Sequence, residues 1–274
     1  MTTRLSLMLA CGLFGGVGGE DAARKDYARF EGVWSFALVE VDGKKQPAVP
    51  FETHKVIISN NGNFIVVQGQ RVTRGSFKLD PSKTPKHFDN TVKDKTTLCI
   101  YELDGDTYKI CGSFRGNERP ITFESKPGSG LVSQVLRREK QDVKAALIEV
   151  GRQELAGTWQ AVSYALDGKT ASDEDMKRIK LVIDASGKAT ALRDGKVFIA
   201  STTTIDPTKA PVQIDMTYTE GDSKGRTALG IYKIEDDVLT ICRNATDKPR
   251  PTEFASKPGS GHTLMTYKRE KAPK

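Results

Sequence analysis

Phe123-Glu124-Ser125-Lys126-Pro127-Gly128-Ser129-Gly130 returns as Phe254-Ala255-Ser256-Lys257-Pro258-Gly259-Ser260-Gly261. Seven of the eight residues match, 131 positions apart. Working outward, Phe30-Glu31-Gly32-Val33-Trp34 matches Leu155-Ala156-Gly157-Thr158-Trp159. Leu79-Asp80-Pro81 matches Ile205-Asp206-Pro207, Ile110-Cys111 matches Ile241-Cys242, and Arg137-Arg138-Glu139 matches Lys268-Arg269-Glu270. Two copies of domain size predict tandem domains rather than a solenoid. The first runs over 30–139, a linker over 140–154, and the second over 155–271.

Inside each copy the apolar period is two. Eight strands are predicted in the first: Val33–Val41, Lys55–Ser59, Asn63–Val67, Thr73–Leu79, Lys86–Thr91, Thr97–Leu103, Thr107–Gly112 and Leu131–Arg138. Asp42-Gly43, Asn60-Asn61-Gly62 and Asp104-Gly105 punctuate them, and Asp-Gly between alternating apolar runs marks a hairpin. Short, evenly spaced strands argue for an all-β barrel or sandwich. A short helix is expected after the first strand. It is clearest at Ser172–Arg178, where Ser172 caps, acids open and bases close the segment. Pro47 to His54, with two prolines, is the poorer counterpart. Val143, Ala146, Leu147 and Val150 have helical spacing and predict a short helix joining the domains. Lys-Pro-Gly-Ser fits a type II turn, with Phe123 and Phe254 expected to plug the core before it.

The 274 residues carry a net charge of +7, spread mostly as lysine through loops. A nucleic-acid footprint would cluster basic residues with aromatics, so nucleic acid is not an expected partner. Met1 to Gly19 has the form of a signal peptide: Arg4, an apolar run from Leu5 to Val17, and small residues before Glu20. An extracytoplasmic location, periplasmic or secreted, follows as the expectation. Cys11 permits the alternative of a lipoprotein anchor. No later stretch approaches transmembrane length. Cys99, Cys111 and Cys242 then remain. An odd count leaves an unpaired thiol, and strand alternation points Cys99 and Cys111 to opposite faces. Free buried thiols are expected.

Gly32-Val33-Trp34 and Gly157-Thr158-Trp159, with Arg138 and Arg269 ending the last strands, resemble the lipocalin pattern. Both copies are similar to an uncharacterised, lipocalin-like domain found mostly in planctomycetes. That resemblance implies two tandem eight-stranded antiparallel barrels, each closed by a structural Trp–Arg contact formed by Gly32, Trp34 and Arg138, or Gly157, Trp159 and Arg269. It carries no activity. The first copy departs from the pattern: Cys99 stands where the second has Gly230, and the insert Gly221–Gly225 is absent.

Residues at spacings that would carry chemistry are few. His54, His87 and His262 lack metal-ligand spacing. Asp80/Asp206 and Asp89/Asp215 recur as a spaced carboxylate pair, but Asp before Pro is more simply a turn former. Ser129 and Ser260 lack a nucleophile elbow. No catalytic, cofactor or metal site is expected. Alternation predicts interiors lined by Val56, Ile58, Phe64, Val66, Phe77, Tyr101 and Ile110, and by Leu181, Ile183, Ala189, Ala191, Thr203, Tyr232 and Ile241. The smaller second set predicts more open volume. The expected function is non-enzymatic binding of a small apolar ligand in one or both barrels. The alternative is a structural or interaction module of the cell envelope, with filled barrels and a protein partner.

Overall fold

A computed structural model describes residues 17–47, 54–59, 62–116 and 118–271. The chain divides into two compact units between Lys140 and Gln141.

The first unit opens with a helix, α1 (Val17–Phe30). Its strands are β1 (Gly32–Val41), β2 (Lys44–Lys45), β3 (His54–Ser59), β4 (Asn63–Gln68), β5 (Arg71–Asp80), β6 (Lys86–Val92), β7 (Lys95–Asp104), β8 (Thr107–Ser113) and β9 (Leu131–Arg138). The second unit opens with α2 (Val143–Leu155) and continues with β10 (Gly157–Leu166), β11 (Lys169–Thr170), α3 (Asp173–Lys177), β12 (Ile179–Ile183), β13 (Lys188–Arg193), β14 (Lys196–Asp206), β15 (Gln213–Tyr218), β16 (Thr227–Glu235), β17 (Val238–Arg243) and β18 (Thr263–Arg269). Neighbouring strands pair antiparallel in sequence order, and β1–β9 and β10–β18 close each sheet on itself. Two closed eight-stranded antiparallel barrels result, with β2 and β11 as two-residue extensions of the first hairpins. Closure leaves no free edge along the seam.

The first strand of each barrel shifts register against the last, between Phe36 and Leu38 and between Ala161 and Ser163. Such a bulge increases local twist and bends a strand. The same irregularity at the same place shows the duplication extending to backbone detail.

Each barrel has an end plugged by its N-terminal helix. Phe30 is fully buried among Phe77, Phe88, Tyr101 and Tyr108, with ring centroids 5.2–5.9 Å away. Leu155 holds the matching place in the second barrel, and Ala146 and Val150 are buried with it. The segment read as a joining helix is therefore part of the second unit's own core, because its apolar stripe has β14 beneath it. Asp142 caps it, accepting from Ala145 N at 2.9 Å. α1 is not among the elements expected from the sequence, and it begins inside the segment expected to be a leader. The expected cleavage point now falls within the first turn of α1.

α3 follows the first strand of the second barrel as expected, with Ser172 Oγ accepting from Asp175 N at 3.2 Å and Met176 buried. Its poorer counterpart in the first repeat lies, over 48–53, outside the described residues, as do Cys11 and the leader up to Gly16. No described helix is long and apolar enough to cross a membrane.

Candidate functional site

The helix end of each barrel is closed by one constellation. Trp34 Nε1 donates to Phe30 O and Trp159 Nε1 to Leu155 O, both at 2.8 Å. The Arg138 guanidinium lies 4.1 Å from the Trp34 ring centroid, and that of Arg269 lies 3.9 Å from Trp159. The same guanidiniums donate to carbonyls at the helix ends: Arg138 to Arg29 and Glu31, Arg269 to Glu154 and Ala156. Helix C-termini leave carbonyls without intrahelical partners and carry partial negative charge, so a cation suits both needs. Gly32 and Gly157 are required by proximity. A Cβ there would fall 2.3 Å and 2.7 Å from the guanidinium Nη1. This is closure, with no room for a ligand.

The opposite end is held by the repeated octapeptide. Ser129 N donates to Lys126 O and Ser260 N to Lys257 O, both at 3.1 Å, with Gly128 and Gly259 at φ +79°. Those are the marks of a type II turn. The turn locks onto the first hairpin: Asp42 accepts from Gly130 N and Asp167 from Gly261 N, each at 2.8 Å. Ser125 and Ser256 accept from Gly43 N and Gly168 N. Phe123 and Phe254 do not plug the core. They are half-buried, and Phe254 lies under the Lys233 ammonium at 5.6 Å. The loop crosses the outside of its barrel, so a residue feeding it cannot also enter the interior. Cys242 Sγ, donating to Ala255 O at 3.5 Å, marks the contact.

Between these ends, the second barrel encloses a cavity of about 470 Å³. Its depth is lined by Leu181, Ile183, Ala189, Ala191, Thr203 and Ile241, and its mouth by Tyr164, Tyr218, Arg178, Arg193 and Arg243. Strand alternation puts these residues inward, and α3 brings Met176 and Asp175 to the rim. Tyr232 is apart from them. It packs under α2, its hydroxyl 3.1 Å from where a Cβ of Gly151 would stand.

The first barrel uses larger side chains at matching registers. Ile58 pairs with Phe64 where Ile183 pairs with Ala189, and Phe77 pairs with Asn90 where Thr203 pairs with Met216. Phe77 stacks on Phe88 at 4.4 Å. Two spaces remain. One of about 200 Å³ touches Val56, Phe64, Phe77 and Ile110, and one of about 410 Å³ is edged by Lys95, Asn90, Thr97 and Gln134. Tyr101 lines neither. It donates to the buried Asp26 carboxylate at 2.7 Å.

The remaining candidates have local partners. Asp80 accepts from Ser82 and Asp206 from Thr208 in tight turns. Hydrogen bonds from those hydroxyls are the foremost cause holding both carboxyls below their ordinary value. Asp89 pairs with Arg119 at 2.5 Å and Asp215 with Arg250 at 2.6 Å. His262 Nδ1 lies 3.2 Å from Ala255 O. Burial of His87, aided by the Arg119 charge, lowers its pKa. Among the described residues no group of three or more potential ligands is placed to hold a metal ion. Cys99, Cys111 and Cys242 are free and buried. Burial pushes Cys99 up to about 12 and Cys111 to about 11, far from the thiolate form needed for reaction. Cys99 faces the lumen and pairs with Gly112, while Cys111 pairs with Ile100 on the other face.

No family model and no curated protein matches the chain. Among solved structures, a Nostoc punctiforme protein of unknown function from the DUF3598 family aligns over 90% of this chain and 99% of that chain. The identity is 12% and the TM-score 0.27, a likeness that carries no function to this chain.

Proposed function

We propose that the protein is an exported, lipocalin-like binding protein whose second barrel holds a small apolar ligand. The observation that carries this reading is the 470 Å³ lumen, apolar in depth and polar at its mouth. Ligand sites of small molecules have that size and that distribution of polarity. The carboxylates and thiols described above are engaged in turns, ion pairs or burial, which supports a role in binding rather than in catalysis.

The first barrel supports the second reading, a contact or scaffold module of the envelope. Phe64 and Phe77 occupy the space that Ala189 and Thr203 leave in its twin, and Phe30, Phe88 and Tyr108 stand where the twin has Leu155, Ile214 and Leu239. A division of labour follows, with the second barrel binding in one continuous lumen of about 470 Å³ and the first, its interior divided by aromatic rings into spaces of about 410 Å³ and 200 Å³, serving in contacts.

Native mass spectrometry of the full chain purified from its own host tests the proposal. A bound small molecule, retained by the intact protein and released on unfolding, is the expected result. Repeated isolation of bare protein that also takes up no apolar fluorescent dye would leave the scaffold reading in its place.

A further inference from the structure

We infer that the second barrel selects a ligand with an apolar body and a single negative charge, and that Arg243 is the residue that reads the charge. The inference rests on the reading of that lumen as a binding site.

Arg243 ends β17, two residues beyond the inward Ile241, and lines the mouth of the cavity. It is half-buried. The other mouth arginines are occupied. Arg178 grips Asp194 through Nε at 2.9 Å and Nη2 at 2.5 Å, and Arg193 lies over the Phe198 ring at 5.1 Å. The one acid of the lining, Asp175, accepts the Ser172 hydroxyl at 2.7 Å and belongs to the cap of α3. Beyond the ladder pairing of its backbone with Gly230 and Thr263, the Arg243 side chain has neither an ion pair nor a hydrogen bond among the described residues. Its charge nonetheless reaches the buried Tyr267 phenol, where it opposes the upward push of burial. A partly desolvated guanidinium without an anion is costly unless something completes it. Its fork of donors matches a carboxylate.

The first barrel shows that the fold does not demand a cation there. Gly112 takes the register of Arg243, opposite Cys99 where the second barrel has Gly230. A Cβ on Gly112 would meet Cys99 Sγ at 2.6 Å, so that barrel has no room for the arginine. Gly230 opens the space in the second, with Arg243 Cβ 3.1 Å from where its own Cβ would be.

Size sets the rest. At roughly 30 Å³ per water-sized group, 470 Å³ takes on the order of fifteen non-hydrogen atoms. A straight-chain carboxylate of about twelve carbons has that bulk, with its tail against Leu181, Ile183, Ala189 and Ala191.

The test is displacement of an apolar dye from the full chain by dodecanoate, dodecanol and dodecyltrimethylammonium, each below its micellar concentration. Dodecanoate should bind tightest, ahead of dodecanol by roughly tenfold to a hundredfold, as hydrogen bonds to charged groups give. Arg243→Gln should erase that preference while dodecanol still binds, which also shows the lumen intact. Arg243→Lys should retain part of it, and Lys268→Gln, at an exposed position at the closed end of the same barrel and outside the cavity lining, all of it. Equal binding of acid and alcohol by the unaltered chain would overturn the charge selection and leave the apolar site standing. A preference that survives Arg243→Gln would overturn the role of this residue. Loss of dodecanol along with dodecanoate in both Arg243 variants would make the arginine a packing residue and overturn the inference too. If the folded, unaltered chain binds none of the three, the binding reading itself falls, and the inference with it.

Discussion

Asp26 sits on α1 with its carboxylate almost wholly buried. It accepts from Tyr101 Oη at 2.7 Å, Lys86 Nζ at 2.8 Å and Arg29 Nη1 at 3.2 Å. Burial works to raise its pKa, but the hydrogen bonds from Lys86 and Tyr101 and the charges of Lys86 and Arg29 outweigh it and leave the carboxyl below its ordinary value. The folded state therefore prefers the ionised form. Stability from this group is present above the unfolded carboxyl value of about 3.9 and is lost as pH falls through the lower folded value. Lys86 is 38% exposed, so its share is screened. Asp26→Asn should lower the stability of the first barrel at neutral pH by roughly 1–3 kcal/mol, and the variant should lose less on acidification than the parent. Gly151 stands at the equivalent place in α2, four residues before Leu155, so the second barrel lacks this buried carboxylate and should lose less at β16 on acidification than the first does at β7. Hydrogen exchange of the full chain in urea, read separately at β7 and β16 near pH 7 and pH 3, checks both statements. An equal acid response of Asp26→Asn and the parent at β7 would refute them.

At the scale of the element, the octapeptide loop and the first hairpin act as one clasp. Gly43 has φ +78°, and a Cβ on it would meet Pro127 Cδ at 2.4 Å and the Pro127 nitrogen at 2.5 Å. The obstacle is backbone and ring, which cannot swing aside. Gly105 also has positive φ, +53°, but open space around it. Gly43→Ala should thus cost the left-handed strain of roughly 1–2 kcal/mol plus a clash of about 1–3 kcal/mol, and Gly105→Ala the strain alone. Urea midpoints of the two variants give the comparison, and equal midpoints would show the clasp to be loose. The clasp marks how far the sequence could be read. Pro and Gly specify their turn chemically, so Lys126–Ser129 was legible as a type II turn, and period-two alternation placed the strands nearly to the residue. Phe123 was misplaced because a large apolar residue beside a turn looks the same whether it enters the barrel or lies across its outer face. α2 was legible as a helix from its spacing, but not as a plug, since periodicity records a buried face without naming what buries it. Arg243 went unremarked for a related reason. It is one of many basic residues in the sequence, and only the closed lumen sets it apart from a solvated charge.

For the molecule as a whole, one domain written twice has diverged on its inner surface while its closures stayed the same. Trp34 and Trp159 keep identical indole bonds, yet Phe64 became, or came from, Ala189, and Phe77 corresponds to Thr203. If the lumen differs by side-chain size alone, it can be filled by copying the first barrel into the second. One constraint governs the copy. Phe64 pairs with Gly75, and its ring occupies the space a Cβ of Gly75 would need, 2.3 Å from Cζ. Ala189 pairs instead with Ser201, whose side chain is buried at the wall. Ala189→Phe alone should overpack that wall and destabilise the barrel by about 1–3 kcal/mol. Joined to Ser201→Gly, the phenylalanine regains the niche it has in the first barrel, and stability should return to within about 1 kcal/mol of the parent. The double variant should then fold and bind no apolar dye, while the Ser201→Gly chain binds as the parent does. Dye titration with urea unfolding on the three variants decides it. Undiminished dye binding by a folded double variant would place the apolar site outside the second lumen.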